Sequence, residues 1–256
     1  MFQFLREWQN RRIIQRSTVT ASQWQQAFSS LPLLQGLSSS EIDKLKELAI
    51  LFLHDKQFEG SYDLEVTDSM KRIIALQACL PILKLGWDGY DGWVTVIVYP
   101  AGFAPSRVVV DEYGVEHHVQ TSLSGEAWQR GPVVLAWSQT EHAGVIDGHN
   151  LVIHEFAHKL DMQNGSANGF PPLHRNMSVS AWTKALSAGF EFSKRKCDRG
   201  KHIGIDCYAA SSPAEFFAVL SEVFFERPDV VKQRYPDIYQ QFCQYYRQDP
   251  LERLLR

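Results

Sequence analysis

The chain has 256 residues, of which 45% are hydrophobic and 12% are aromatic. This length and composition are typical of a globular protein with a large buried core, so we expect a single domain. The formal net charge is −3, which gives no overall basic field. Nucleic acid and anionic membranes are therefore poor candidates for the main partner.

The four cysteines predict a location for the protein. Cys79, Cys197, Cys207 and Cys243 form neither a C-x-x-C pair nor a dense framework, so we expect free thiols in a reducing compartment. Residues 1–16 carry charged side chains where a signal peptide would need an apolar segment. No apolar run approaches the roughly 20 residues that span a bilayer. The sequence thus predicts a cytoplasmic protein.

The N-terminal part, residues 1–85, is predicted to be helical. Before Ser22 the apolar residues are irregularly spaced, and we expect partial order at most, as is common at chain termini. Ser38 and Glu41 have the spacing of a capping box that begins a helix, and apolar residues follow at helical intervals. The predicted helices are 38–54 and 67–83.

The middle part, residues 87–140, changes to a strand pattern. The predicted strands are 93–99, 107–111, 115–119 and 133–137, the second and third forming a hairpin. We therefore expect a small, largely antiparallel sheet. Strand 133–137 lies just before the central motif described next and is a candidate edge onto which an extended peptide can add. Its apolar character on both faces favours an interior strand instead, so both interpretations stay open.

The last part, residues 149–256, contains the motif His154-Glu155-Phe156-Ala157-His158. It lies in an apolar run that predicts a buried helix. Residues four apart share a helix face, so His154 and His158 can bind the same metal ion. This is the H-E-x-x-H pattern, in which two histidines bind zinc and the glutamate, here Glu155, is the general base. Two buried imidazoles and a carboxylate would be costly without partners, and a metal supplies them.

A catalytic zinc site needs a third protein ligand, and two glutamates compete for the role. Ser212 and the following proline predict the start of a second apolar helix, on which Glu215 and Glu222 share a face. Glu215 is favoured because helix N-termini commonly face open sites, although a capping box with Ser212 would also explain it. The other glutamate, or Asp161, can orient a ligand histidine.

These residues carry a resemblance to a known family. The run from Asn150 to Asp161, Asn-Leu-Val-Ile-His-Glu-Phe-Ala-His-Lys-Leu-Asp, is similar to the Mlc titration factor A family, as are residues 167–169, 208–210 and 213–218. The family consists of bacterial cytosolic zinc peptidases of the gluzincin type, with a catalytic core similar to that of the anthrax lethal factor protease domain. The resemblance implies one zinc ion held by His154, His158 and Glu215.

The resemblance also implies roles for other residues and for a partner. It makes Glu155 the general base and Tyr208 a catalytic tyrosine, placed seven residues before Glu215 as in the family. Val219 departs from thermolysin-like gluzincins, which have an aspartate at that position. The implied partner is the repressor Mlc, whose binding would regulate the glucose phosphotransferase genes.

We therefore expect an α+β fold, mainly helical, with a small and largely antiparallel sheet beside the H-E-x-x-H helix. The expected activity is zinc-dependent peptide hydrolysis, aminopeptidase-like on short peptides. The alternative is a non-catalytic regulatory binding protein whose zinc site is structural or vestigial. The rims of the expected cleft are residues 163–178 and 194–211.

Overall fold

The computed structural model describes residues 2–101, 106–110, 116–120, 125–127, 131–141 and 145–255, and its architecture is mainly helical, as predicted. Among these residues no helix combines the length and apolarity needed to cross a membrane. The α-helices are α1 (Phe2–Gln15), α2 (Ala21–Ser29), α3 (Ser39–Asp55), α4 (Asp68–Cys79), α5 (Trp137–Thr140), α6 (Leu151–Asp161), α7 (Val179–Cys197), α8 (Pro213–Glu226), α9 (Pro228–Arg234), α10 (Pro236–Tyr246) and α11 (Pro250–Leu254).

The sheet differs from the prediction. The strands are β1 (Gln57–Gly60), β2 (Thr95–Tyr99), β3 (Ser106–Val110), β4 (Glu116–Gln120), β5 (Gly125–Ala127) and β6 (Val133–Ala136). The order in the main sheet is β1-β2-β6-β5, and β1, β2 and β6 are parallel, while β5 is antiparallel to β6 at one edge. The expected largely antiparallel sheet is therefore wrong.

Chain connectivity explains this error. The predicted hairpin exists, since β3 and β4 pair antiparallel, but they form a separate two-stranded sheet. The strands on either side of that hairpin, β2 and β6, pair with each other in parallel. Parallel pairing requires a long crossover, and residues 100–132 supply it. All four residues of β6 are buried, as expected for a strand covered on both faces.

The N-terminus also differs from the prediction, because α1 is helical where we expected partial order at most before Ser22. A bidentate hydrogen bond from Arg6 to Asp91 ties α1 to the start of the sheet region. Ile13 and Ile14 pack against the core from α1. Helix α2 begins at a capping box formed by Thr20 and Gln23. Tertiary contacts thus order a segment whose own apolar spacing is irregular.

Other helix predictions are close. Helix α3 begins at the predicted capping box of Ser38 and Glu41. Helix α4 ends at Cys79, earlier than expected. In the C-terminal segment, α9 ends at Arg234 and α10 begins at Pro236, and aromatic residues of α10 pack on the core. That core is centred on α6 and α8, which pack against each other.

The cysteines do not all remain free. Cys197, the last residue of α7, forms a disulfide with Cys207, while Cys79 and Cys243 are free thiols. The expectation of four free thiols is therefore wrong. The two bonded cysteines are ten positions apart in the sequence, and that spacing matches none of the short sequence patterns that identify a pair. The cytoplasmic location stays a prediction.

Candidate metal centre

Helix α6 presents the two histidines of the motif. Asn150 caps the helix, because its Oδ1 accepts a hydrogen bond of 2.9 Å from the backbone N–H of Ile153. With that start fixed, His154 and His158 lie one turn apart on the same face, and their ring centroids are 4.9 Å apart. The sequence predicted this arrangement from the spacing alone.

Helix α8 brings Glu215 to the same place. Its Oε2 lies 3.0 Å from Nε2 of His154 and 3.3 Å from Nε2 of His158. The ligand atoms of these three residues all lie within 4.8 Å of one another. Ser212 does cap α8, accepting a hydrogen bond from the backbone N–H of Glu215, but the Glu215 carboxylate faces the histidines. Capping by Ser212 therefore involves the backbone of Glu215 and does not explain the position of its carboxylate.

Glu222 lies on the other side of His154. Its Oε1 is 2.7 Å from Nδ1 of His154, and its Oε2 accepts a hydrogen bond of 2.6 Å from the backbone N–H of Asn150. A carboxylate on the distal nitrogen of a metal-binding histidine fixes the ring and leaves Nε2 for the metal. The structure thus separates the two candidate glutamates, with Glu215 at Nε2 and Glu222 behind the ring.

A buried polar network supports Glu222, and the sequence analysis missed it. The side-chain amide of Asn150 donates to Oε1 of Glu226 and to Oε1 of Gln77. The second Glu226 oxygen accepts a hydrogen bond from the backbone N–H of Gly148. In the sequence, this network is indicated only by the acidic residue Glu226 at the end of a strongly apolar helix.

Asp161 was predicted as a residue that could orient a ligand histidine, but in the structure it holds a loop. Its carboxylate accepts three backbone hydrogen bonds of 2.7–2.8 Å, donated by residues 168–170. Gly169 within this loop has φ of +76°, and a Cβ there would lie 2.5 Å from the carbonyl oxygen of Pro213. Asp161 follows His158 by three residues and Pro213 precedes Glu215 by two. The loop therefore fixes the spacing between α6 and α8.

The charged groups of the site strongly affect one another's pKa values. Burial opposes protonation of His154, but Glu222 and Glu215 outweigh it and raise the pKa of His154 well above its usual value. Burial likewise opposes ionisation of Glu215, yet hydrogen bonds from both histidines hold its pKa well below the usual range. Burial raises the pKa of Glu155 to about 7, against the opposing charges of His154 and His158.

Tyr208 borders the same site. It lies in a short 3₁₀ turn, Cys207–Ala210, with its ring centroid 6.2 Å from that of His154 and half of its surface exposed. Burial, followed by the charges of Glu215 and Glu155, raises the pKa of Tyr208 to about 12. Tyr208 is therefore a neutral hydrogen-bond donor at ordinary pH.

The donor set fits a divalent metal ion. Three carboxylates, Glu155, Glu215 and Glu222, surround two imidazoles, which leaves a negative excess that a cation would neutralise. Both nitrogens of His154 face carboxylates, so either the ring is charged or a cation lies between Nε2 and Glu215. Oε2 of Glu155 is buried without a hydrogen-bond partner among the described residues. Two histidines and a glutamate are a common catalytic zinc set.

Comparison with known proteins agrees with this geometry. Residues 5–247 match the family model described as glucose-regulated metallo-peptidase M90. The chain is similar to Mlc titration factor A of Escherichia coli O9:H4 (strain HS), at 41% identity over 93% of this chain and 90% of the relative. Mlc titration factor A of Klebsiella pneumoniae (strain 342) is also 41% identical, over 90% of this chain and 88% of the relative.

The match covers nearly the whole chain and includes the three residues that converge on one point, His154, His158 and Glu215. A metallopeptidase requires a metal cofactor, and this cluster can bind one. The chain belongs to the M90 family of glucose-regulated metallopeptidases.

Proposed function

We propose that the protein is a zinc-dependent peptidase, with His154, His158 and Glu215 as the metal ligands and Glu155 as the general base. The observation that carries the proposal is the convergence of the three ligand atoms within 4.8 Å, beside a buried Glu155 oxygen that has no hydrogen-bond partner in the part of the chain that the structure describes. When bound, zinc polarises a peptide carbonyl and lowers the pKa of a coordinated water to about 7.

Glu155 supplies the proton transfers. Burial raises the pKa of its carboxylate to about 7, and a general base is most effective when its pKa lies near the working pH. It accepts a proton from the attacking water and then donates it to the nitrogen of the leaving amine. Glu222 holds the His154 ring in place through Nδ1 while this happens.

Tyr208 supplies a hydrogen bond to the oxyanion. The carbonyl oxygen gains negative charge as the water attacks, and a neutral tyrosine hydroxyl beside the metal ligands can donate to it. For this, the hydroxyl turns away from Glu215, whose charge helps to raise its pKa, and towards the substrate. The half-exposed ring makes such a movement possible.

The substrate is proposed to bind as an extended strand. Val133–Trp137 does not serve as its edge, because β6 lies between β2 and β5. The edge is β5, which is antiparallel to β6 and lies beside α6. An extended peptide can add to that edge by main-chain hydrogen bonds.

We also propose an aminopeptidase-like specificity for short peptides, in which a carboxylate near the metal centre holds the ammonium group of a free N-terminus. Asp206, which caps the turn that carries Tyr208, is the candidate. N-acetylation of a substrate would remove that charge.

The test uses peptide anilides with free and with acetylated N-termini. Zinc-loaded protein is expected to cleave the free substrates, lose this activity after chelation and regain it when zinc is restored. The acetylated substrates should react much more slowly. Equal cleavage by chelated protein would contradict a metal-dependent mechanism, whereas equal cleavage of both substrate sets would contradict the aminopeptidase specificity alone.

The name of the relatives favours a second function, the binding of the repressor Mlc. We propose that this protein also binds an Mlc-type repressor and so regulates glucose phosphotransferase genes. The Glu155→Gln variant separates the two functions, because it removes the base and leaves the surface intact. Repressor binding by wild type and variant, with no peptide cleaved by either, would favour the regulatory alternative with a structural or vestigial zinc site.

A further inference from the structure

The disulfide between Cys197 and Cys207 joins two elements beside the metal centre. Cys197 ends α7, and Cys207 begins the 3₁₀ turn that carries Tyr208. The Cα atoms of the two cysteines are 5.7 Å apart. Tyr208 follows Cys207 directly, so the bond fixes the backbone one residue away from the proposed oxyanion donor.

The turn is also held by packing against α7 and α8 and by hydrogen bonds of its own backbone. Residues 198–206 form an irregular loop in which Gly200 and Gly204 have φ of +64° and +82°. Ile203 and Ile205 are buried and anchor the inner side of the loop. At Tyr208 the backbone N–H donates a hydrogen bond of 2.8 Å to Oδ1 of the exposed Asp206, and the carbonyl oxygen accepts one of 2.7 Å from the Ser211 hydroxyl.

The Tyr208 side chain is itself only partly held by packing. Half of its surface is exposed, whereas the next residue, Ala209, is fully buried. The turn is thus anchored on both sides of Tyr208 in the chain, by the disulfide at Cys207 before it and by the buried Ala209 after it. Loss of either anchor would widen the range of positions open to the tyrosine hydroxyl.

We propose that Cys197 and Cys207 are positioning residues for Tyr208, and that reduction of their disulfide by a soluble dithiol lowers turnover. The inference rests on the proposed role of Tyr208 in peptide hydrolysis. Cys207 is exposed and Cys197 is half-buried, so a dithiol can reach the bond. A displacement of about 1 Å at a catalytic group can reduce a rate by as much as 10²-fold.

The chemistry of the step is thiol–disulfide exchange. A thiolate of the dithiol attacks one cysteine sulfur, breaks the S–S bond and releases the other cysteine as a thiolate. The second thiol of the reagent then displaces the first cysteine and closes a cyclic disulfide. Two electrons pass from the reagent to the protein, and two cysteine thiols result. Removal of the dithiol and addition of an oxidised dithiol reverse the exchange.

The test is a double-mutant cycle on the zinc-loaded protein. Turnover is measured for wild type, Cys197→Ser/Cys207→Ser, Tyr208→Phe and the triple variant. Dithiol-treated wild type is measured as well, so that the result does not depend on folding of a variant. Cys243→Ser serves as the control, because Cys243 is a free thiol outside the disulfide.

We expect reduction or the double serine change to lower kcat about tenfold with little change in KM or zinc content. The same changes should have no further effect in the Tyr208→Phe background, and Cys243→Ser should behave as wild type. Equal losses in both backgrounds, or full turnover of the reduced wild type while Tyr208→Phe is impaired, would overturn the positioning role alone. Full turnover of Tyr208→Phe would overturn both this inference and the proposed role of Tyr208.

A second measurement does not require activity. Hydrogen exchange of metal-free protein is expected to be faster in residues 198–211 after reduction, and unchanged in α6. Unchanged exchange in residues 198–211 would mean that the disulfide does not hold the turn, which would overturn the inference.

Discussion

Nδ1 of His154 lies 2.7 Å from Oε1 of Glu222, on the side of the ring opposite Glu215. The two carboxylates approach one imidazole from opposite sides, although both belong to α8 and are seven residues apart. Because of this spacing, Glu215 lies where it can bind the metal, and Glu222 lies where it can orient the His154 ring.

The first prediction concerns Glu222. Replacement by glutamine keeps the shape of the side chain but removes the charge beside Nδ1, so zinc affinity should fall by about 10- to 100-fold. Glu226→Gln is the matched control on the same helix. Glu226 contacts Asn150 and Gly148 rather than the His154 ring, so this variant alters the same buried network without removing the charge beside Nδ1. Competition with a chelator of known affinity measures the difference, and equal affinities would contradict the assignment.

Glu226 also predicts a pH dependence of stability. Burial, with the charges of Asp147 and Glu222, raises its pKa from 4.5 to about 8, while hydrogen bonds from Asn150 and Gly148 only partly oppose this. Between these two values the folded state binds more protons than the unfolded state, so folding stability falls as pH rises. Because glutamine does not titrate, the Glu226→Gln variant does not lose this part of its folding stability as the pH rises. The stability of the variant relative to wild type should therefore increase from pH 5 to pH 8, as measured by denaturant unfolding, and a constant difference would contradict the prediction.

Gly169 tests the spacing between the two helices of the site. Alanine at this position combines an unfavourable φ of +76° with a Cβ that would lie 2.5 Å from the Pro213 carbonyl oxygen. We expect Gly169→Ala to cost about 1–3 kcal/mol of stability and to weaken zinc binding. Gly92→Ala is the control, since Gly92 has φ of +88° but an added Cβ would contact nothing within 4 Å. Similar zinc affinities for the two variants would show that the loop does not set the spacing.

Tyr208→Phe tests the oxyanion donor. Loss of one such hydrogen bond typically costs about 3 kcal/mol, so turnover should fall by roughly 10²-fold. Zinc content should be unchanged, because the tyrosine is not among the proposed ligands. Steady-state kinetics with a free peptide anilide measure the effect, and wild-type turnover would remove Tyr208 from the mechanism.

The convergence of the proposed ligands could be predicted from the sequence because it depends on helix geometry. His154 and His158 share a face by their four-residue spacing, and Ser212 with Pro213 marks the start of the helix that carries Glu215. The choice between Glu215 and Glu222 depended on the resemblance, since both lie on one face of α8. Only the packing of α8 against α6 separates them.

Features that depend on distant contacts could not be predicted. The pairing of β2 with β6 joins strands more than thirty residues apart in sequence, and helix α1 is held by an ion pair between Arg6 and Asp91. The disulfide likewise depends on where α7 ends relative to the turn before α8. The division of the chain into parts 1–85, 87–140 and 149–256 of one domain stays a prediction.

The most direct test of the proposed metal centre is the zinc content and activity of two glutamine variants, measured side by side. Glu155→Gln should bind one zinc per chain and lose hydrolysis by at least about 10²-fold, because it removes the base but no ligand. Glu215→Gln should lose zinc as well as activity. Wild-type hydrolysis by Glu155→Gln, or full zinc content with wild-type affinity in Glu215→Gln, would contradict the account.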